Sequence, residues 1–261
     1  MNICTFASGS RGNCALVWHK NTYILIDAGI SMRRIVNNLK KLGLEAGQIT
    51  SILITHEHTD HISGLPMLMK HFKIPMFASG GTARSIARRG VLPDGYISVF
   101  ETGRTFGVGD MEICSFETPH DTAESVGFTL SAGGRKLAFT TDLGHVSPKV
   151  EQAVMGCDTV VLESNHDIEM LKAGSYPYMT KVRILGKRGH LSNDAGGEFA
   201  SRLVEGGTKK IMLAHLSRDN NTSELAFSTV SGKLLEAGIK TGSDMELHIA
   251  PANEMSPLLD I

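Results

Sequence analysis

No two of the four cysteines, Cys4, Cys14, Cys114 and Cys157, fall in a C-x-x-C spacing. That argues against thiolate metal sites and paired redox thiols, and for four reduced side chains without a disulfide framework. Charge of one sign is also missing: 26 Lys and Arg face 27 Asp and Glu, a formal net charge of -1. Such a balance gives no global pull toward nucleic acid, although it leaves room for a local basic surface. No apolar run approaches the roughly 20 residues of a membrane helix. The opening stretch MNICTFASGS has neither the basic segment nor the long apolar stretch of a secretory signal. These absences lead to the expectation of a soluble, cytoplasmic protein with no membrane partner. The 261 residues, 41% of them hydrophobic, suffice for one packed unit, expected to span 1–261.

What is present is glycine, at 28 residues, and histidine, at 11. Short apolar runs predict strands at 2–7, 15–19, 23–27 and 49–55, then 75–78, 105–108, 111–118, 126–131 and 136–141, and finally 159–163, 210–214 and 246–249. Helices are expected over 31–42, with Ser31 as N-cap and Gly43 as stop, and over 65–72, 81–89, 146–155, 167–173, 179–187, 194–205 and 224–236. The strands come in hairpin-like groups, each trailed by helices. That order favours a helix-covered two-sheet sandwich over a doubly wound parallel sheet.

The densest chemistry lies in ITHEHTDHISG. His56, His58, Asp60 and His61 form H-x-H-x-D-H at the end of a buried run. Five ionisable groups there are costly to desolvate unless they share a partner. Imidazole and carboxylate together suit Zn2+, Mn2+ or Fe. Side chains two apart in an extended segment point the same way, so His56 and His58 can grip one ion. Asp60 and His61, at the turn into a helix, can face a second. Three later strand ends offer further donors, His120 in ETPHDT, Asp142 in FTTDLGH and His215 in IMLAHLS, and Asp27 closes the strand at 23–27.

Taken in order, Asp27, the H-x-H-x-D-H cluster, His120, Asp142 and His215 resemble the five motifs of the metallo-β-lactamase superfamily. The resemblance implies an α/β (α+β) fold, an αββα four-layer sandwich. It implies one ion on His56, His58, His120 and Asp142, and another on Asp60, His61, His215 and the same bridging Asp142. Asp27 would orient a ligand histidine. Histidine at position 58, where oxygen-reducing di-iron members carry Glu, favours hydrolysis. A two-ion site lowers the pKa of a bridging water, polarises the substrate and neutralises developing charge. Asp60 and Asp142 are therefore catalytic as well as metal-binding candidates.

The leaving group still needs a proton. Glu163 in LESNHD and His190 in RGHLSND are the candidate pair, a histidine held by a carboxylate. Their order resembles the tRNA 3′-processing nucleases of the superfamily. ASGSRGNC, THEHTDHISGL, TTDLGH, LESNHD, GHLSN and HLSRDNN together resemble its YycJ (WalJ) subgroup, which implies 5′-to-3′ exonuclease action on DNA. The chain after Asp142 is too short for the large β-CASP insertion of other nucleases. Substrate contacts are expected from Ser10 and Asn13 in the glycine-rich turn, His166, Ser192 and Asn193, and Ser217, Arg218 and Asn220. Ser192 or Asn193 equally suits an N-cap. Basic residues at 181, 183, 187 and 188 lead toward His190 and could meet phosphates. The alternative is a small-molecule hydrolase of the same fold, cleaving a cyclic phosphodiester, thioester or lactone. A non-enzymatic, metal-stabilised regulator is the third reading. Oligomeric state is not written in these patterns.

Overall fold

The computed structural model describes residues Met1–Ile261. Its first half runs β1 (Asn2–Ala7), β2 (Cys14–His19), β3 (Thr22–Ile26), α1 (Met32–Lys41), β4 (Ser51–Leu53), α2 (Thr59–Ile62), α3 (Leu65–Phe72), β5 (Met76–Ser79), α4 (Gly80–Arg88) and β6 (Ser98–Phe100). The second runs β7 (Thr105–Val108), β8 (Met111–Glu117), β9 (Val126–Ala132), β10 (Arg135–Thr140), α5 (Pro148–Val154), β11 (Thr159–Glu163), α6 (Ile168–Ala173), α7 (Tyr178–Leu185), α8 (Asn193–Glu205), β12 (Lys210–Ala214), α9 (Ser223–Glu236) and β13 (Glu246–Ile249). A last strand, β14 (Leu259–Asp260), returns to the edge of β1.

Two seven-stranded sheets result, ordered β14-β1-β2-β3-β4-β5-β6 and β13-β12-β11-β10-β9-β8-β7. Each begins as an antiparallel meander and continues as parallel strands, from β3 to β6 and from β10 to β13. Parallel neighbours need crossovers, and helices supply them. The chain thus repeats one topology twice without repeating its sequence.

Alternation along the strands builds the layers. Ile24 and Ile26 face the core between the sheets, whereas Leu25 faces the helices outside. Val161 likewise points inward between the sheets, and Val160 and Leu162 point out to α8 and α9. Buried on both faces, such strands read as unbroken apolar runs. Ile35, Leu39, Leu65 and Ile86 cover one sheet, and Val150, Phe199, Val230 and Leu234 the other. This is the αββα arrangement.

Ser31 caps α1, its hydroxyl accepting from the Arg34 N–H. The strand expected at 49–55 shrinks to Ser51–Leu53. Its end leaves the sheet because the Thr55 N–H donates to a side chain, Asp27 Oδ1, at 2.8 Å.

Candidate active site

The parallel strands of both sheets end on one side, and the polar residues follow them there. Asp27, Asp142 and His215, just past β3, β10 and β12, have φ of 60°, 59° and 57°. Non-glycine residues rarely adopt this left-handed conformation, which concentrates where function requires it. At all three positions the chain turns off its strand and leaves a carboxylate or imidazole over the sheet edge.

Asp27, wholly buried, accepts at Oδ2 from the Thr55 hydroxyl at 2.8 Å and from His61 Nδ1 at 2.7 Å. The same hydroxyl takes a hydrogen bond from His56 Nδ1 at 3.0 Å. His120 Nδ1 donates to the Gly189 carbonyl at 3.1 Å, and His215 Nδ1 to Glu163 Oε1 at 2.8 Å. Each ring is thereby fixed by its Nδ1–H, which turns Nε2 toward the others, the pattern that orients metal-binding histidines; His61 Nε2 also lies 3.0 Å from the Asn13 amide and His120 Nε2 3.3 Å from His58 Nδ1.

The donor atoms converge. Donor atoms of His56, His58 and His120 lie within 4.8 Å of one another, as do those of Asp60, His61 and His215. Asp142 stands between, Oδ1 3.5 Å from His120 Nε2 and Oδ2 3.5 Å from His61 Nε2. His56 Nε2, His215 Nε2 and Asp142 Oδ2 are buried with no hydrogen-bond partner. Buried polar atoms are rarely left so, and three together, with carboxylate and imidazole donors around them, fit divalent cations.

Protonation follows burial and charge. Burial, reinforced by neighbouring imidazoles, holds His56 well below the usual histidine range. Burial pulls His215 down too, but Asp142, Asp60 and Glu163 outweigh it and lift the ring to about 10. His61 rises for the same reason, through Asp142, Asp27 and Asp60. Burial pushes Asp60 up, yet His61 and His215 bring it below the ordinary carboxylate range.

Beside this cluster lies Glu163, also wholly buried. Its Oε1 accepts from both His190 Nδ1, at 2.9 Å, and His215 Nδ1. Its Oε2 accepts from the Leu143 and Leu191 N–H groups at 2.7 and 3.0 Å. Burial raises this carboxyl, but the two imidazoles bring it down to about 2. His190, half-buried, lines a cavity of about 320 Å³ with His58, Asp60, Asp142 and His215.

The sequence matches the Beta-lactamase superfamily domain over residues 22–216. It is 37% identical over 249 residues to "Exodeoxyribonuclease YycJ" of Bacillus anthracis, covering 95% of this chain and 94% of that protein. It is 34% identical over 258 residues to "Exodeoxyribonuclease WalJ" of Streptococcus pneumoniae, covering 98% and 96%.

The chain belongs to the β-lactamase superfamily.

Within it, similarity over nearly the full length puts the chain with the YycJ (WalJ)-like subgroup. Zn2+-bound PqqB from Methylobacterium extorquens shares the metallo-β-lactamase fold, with a TM-score of 0.74 over all of both chains at 16% identity. Family and donor set make the protein a metal-dependent hydrolase acting on ester bonds.

Of the substrate contacts expected from the sequence, Ser10 and Ser217 line the cavity. Asn13 is buried, its amide tied to Gly9, Asp60 and His61. Ser192 is the N-cap of α8. Asn193 is wholly buried in a reciprocal amide pair with Asn221, both bonds 2.9 Å. Asn220 is buried against Ser217, and Arg218 is exposed outside the cavity lining. His166 is buried with neither ring nitrogen partnered and lines a neighbouring cavity behind His190. Ser192 and Asn193 are thus committed to the start of α8 and to the amide pair, whereas Asn13 sets its amide against Asp60 and His61 of the donor cluster and Asn220 keeps a buried Oδ1 without a partner. Arg188 is committed similarly, donating to the carbonyls of His120 and Thr122.

Residues given no role from the sequence also build the site. Thr55 joins Asp27 to His56. Glu57, buried next to His56, accepts from the Ala123 N–H at 2.9 Å and so fixes the loop after His120. Gly29 lets the Asp60 backbone approach; a Cβ there would sit 1.5 Å from the Asp60 carbonyl oxygen. Gly29→Ala is therefore expected to lose on the order of 1–3 kcal/mol of stability through forced overpacking. It should also weaken divalent-ion binding, because Asp60 must move. Thermal melting with and without Mn2+ checks this; an unchanged melt in both would show that the crossing has slack.

Proposed function

We propose that the protein is a two-metal phosphodiesterase that degrades DNA from a 5′ end. The observation that carries this reading is the Glu163–His190 pair, whose imidazole lines the same cavity as His58, Asp60, Asp142 and His215. The two relatives of nearly equal length, both named exodeoxyribonucleases, support it.

One divalent ion would be held by His56, His58, His120 and Asp142, the other by Asp60, His61, His215 and the shared Asp142. When bound, such a pair supplies hydroxide at neutral pH and positive charge against the phosphoryl oxygens. Asp27, Thr55 and the Gly189 carbonyl hold the imidazoles so that their Nε2 atoms would be turned to such ions. Glu163 stays ionised and keeps the His190 proton on Nδ1. His190 Nε2 is then the atom that carries a proton to the departing 3′ oxygen, a step worth about 10²–10⁴-fold in comparable enzymes. Ser10 and Ser217 offer hydroxyls to the substrate within the cavity.

The test is degradation of 5′-labelled and 3′-labelled linear DNA with Mn2+ and with Zn2+, beside Asp142→Ala. Early release of the 5′ label, absent in the variant, is the expected result. DNA left intact under both metals would favour the small-molecule reading, which the modest cavity volume of about 320 Å³ suits, and cyclic nucleotides would replace DNA as substrates.

A further inference from the structure

Four basic residues lead toward His190, and the fold treats them differently. Lys181 Nζ donates to the Lys172 carbonyl and Arg188 to the carbonyls of His120 and Thr122. Lys187 is exposed and does not line the metal cavity. Arg183, on α7, does line it, and is the one Lys or Arg side chain that does. Its guanidinium forks onto Asp121, Nε to Oδ2 at 2.5 Å and Nη2 to Oδ1 at 3.0 Å. Nη1 has no protein acceptor. Asp121 follows His120 directly, and its Oδ1 lies 3.4 Å from His120 Nε2. The loop that carries a metal donor thus also aims the cavity's one permanent cation.

We infer that Arg183 is a phosphate-recognition residue, binding a backbone phosphate beside the scissile one, with Asp121 as its positioning residue. The inference rests on the nucleic-acid reading above. Asp60 and Asp142 face the same cavity and repel an incoming polyanion. Divalent ions at the donor cluster answer for the scissile phosphate alone. The next phosphate needs a separate positive group, and the whole chain, at a net charge of -1, supplies no field to replace it. A planar guanidinium with two nitrogens committed to a carboxylate and one open presents its remaining N–H groups in a fixed direction. That arrangement favours a phosphate oxygen over a diffuse counterion.

The test compares two substrates. One is a 5′-labelled oligonucleotide. The other is bis(p-nitrophenyl) phosphate, a phosphodiester with no neighbouring phosphate. For Arg183→Gln, kcat/KM on the oligonucleotide should fall about 10- to 100-fold, mainly through KM, the loss typical of a charge-assisted hydrogen bond. Turnover of the small diester should stay within about twofold, since the removed contact is one it never makes. The slope of log affinity against log salt should drop by about one. Arg183→Lys should restore the slope but only part of the KM. Asp121→Asn should keep the slope while raising KM, because the charge remains and its aim is lost. Melting temperatures should hold, as the pair is largely exposed.

An unchanged oligonucleotide KM would overturn the inference. So would equal losses on both substrates, which would make the Arg183–Asp121 pair a brace for the His120 loop. Wild-type protein that cleaves the small diester but leaves the oligonucleotide whole would overturn the nucleic-acid reading itself, and this inference with it.

Discussion

Replacing Asp142 with alanine is expected to leave a folded protein that holds at most one divalent ion per chain and turns over phosphodiesters at least about 10³-fold more slowly. The magnitude follows from removing several kcal/mol of charge stabilisation at the reacting phosphate. Asp142 is the group both halves of the cluster need, with Oδ1 beside His120 Nε2 and Oδ2 beside His61 Nε2. Its backbone has φ of 59°, a conformation alanine adopts with some strain. Asp142→Asn is the companion variant, because asparagine tolerates that conformation and removes only the charge. Both should lose metal by elemental analysis, and their agreement would separate the ligand role from the backbone. Two ions per chain in either variant, together with undiminished turnover, would end the idea of a shared carboxylate.

The grouping of this site was legible because its signals are local. Four ligand-type residues in six positions after a buried run are too costly to desolvate without a shared cation, and Asp142 and His215 each close an apolar strand. Strand bounds at Thr159–Glu163 and Lys210–Ala214 match for a related reason, since runs buried on both faces stop where polarity begins. What stayed hidden is set by contacts between distant segments. β14 exists because Leu259 meets Ile3 across the chain termini. The Asn193–Asn221 amide pair, the Thr55 bridge from Asp27 to His56 and the Arg183–Asp121 fork each join segments whose own sequences give no hint of the partner. Ser192 and Asn193 show the resulting ambiguity: a small polar residue in a loop serves a substrate or a helix start equally well, and only the fold chooses. The early exit of the strand at Leu53 has the same origin, a backbone N–H drawn off the sheet by a carboxylate 28 positions away.

His190→Ala should retain its metal and lose about 10²–10⁴-fold in kcat on DNA, the range for removing a general acid. The retention follows from how Glu163 is held. Without His190, Glu163 still accepts from His215 Nδ1 and from the N–H groups of Leu143 and Leu191. The buried carboxylate therefore stays satisfied, and His215 keeps its orientation. Glu163→Ala is the less informative change, since it would strip four hydrogen bonds from one buried point and disturb a metal donor with them. The decisive comparison again uses bis(p-nitrophenyl) phosphate, whose leaving group departs readily as an anion and needs no proton. A His190 that protonates the leaving oxygen is dispensable there, so the variant should be crippled on DNA and close to normal on the small diester. Equal losses on both would take His190 away from the leaving group and toward the donor cluster, where its Nδ1 lies 3.8 Å from Asp142 Oδ1. In that case metal content would fall in step with activity, and Glu163 would be a support for His215 alone.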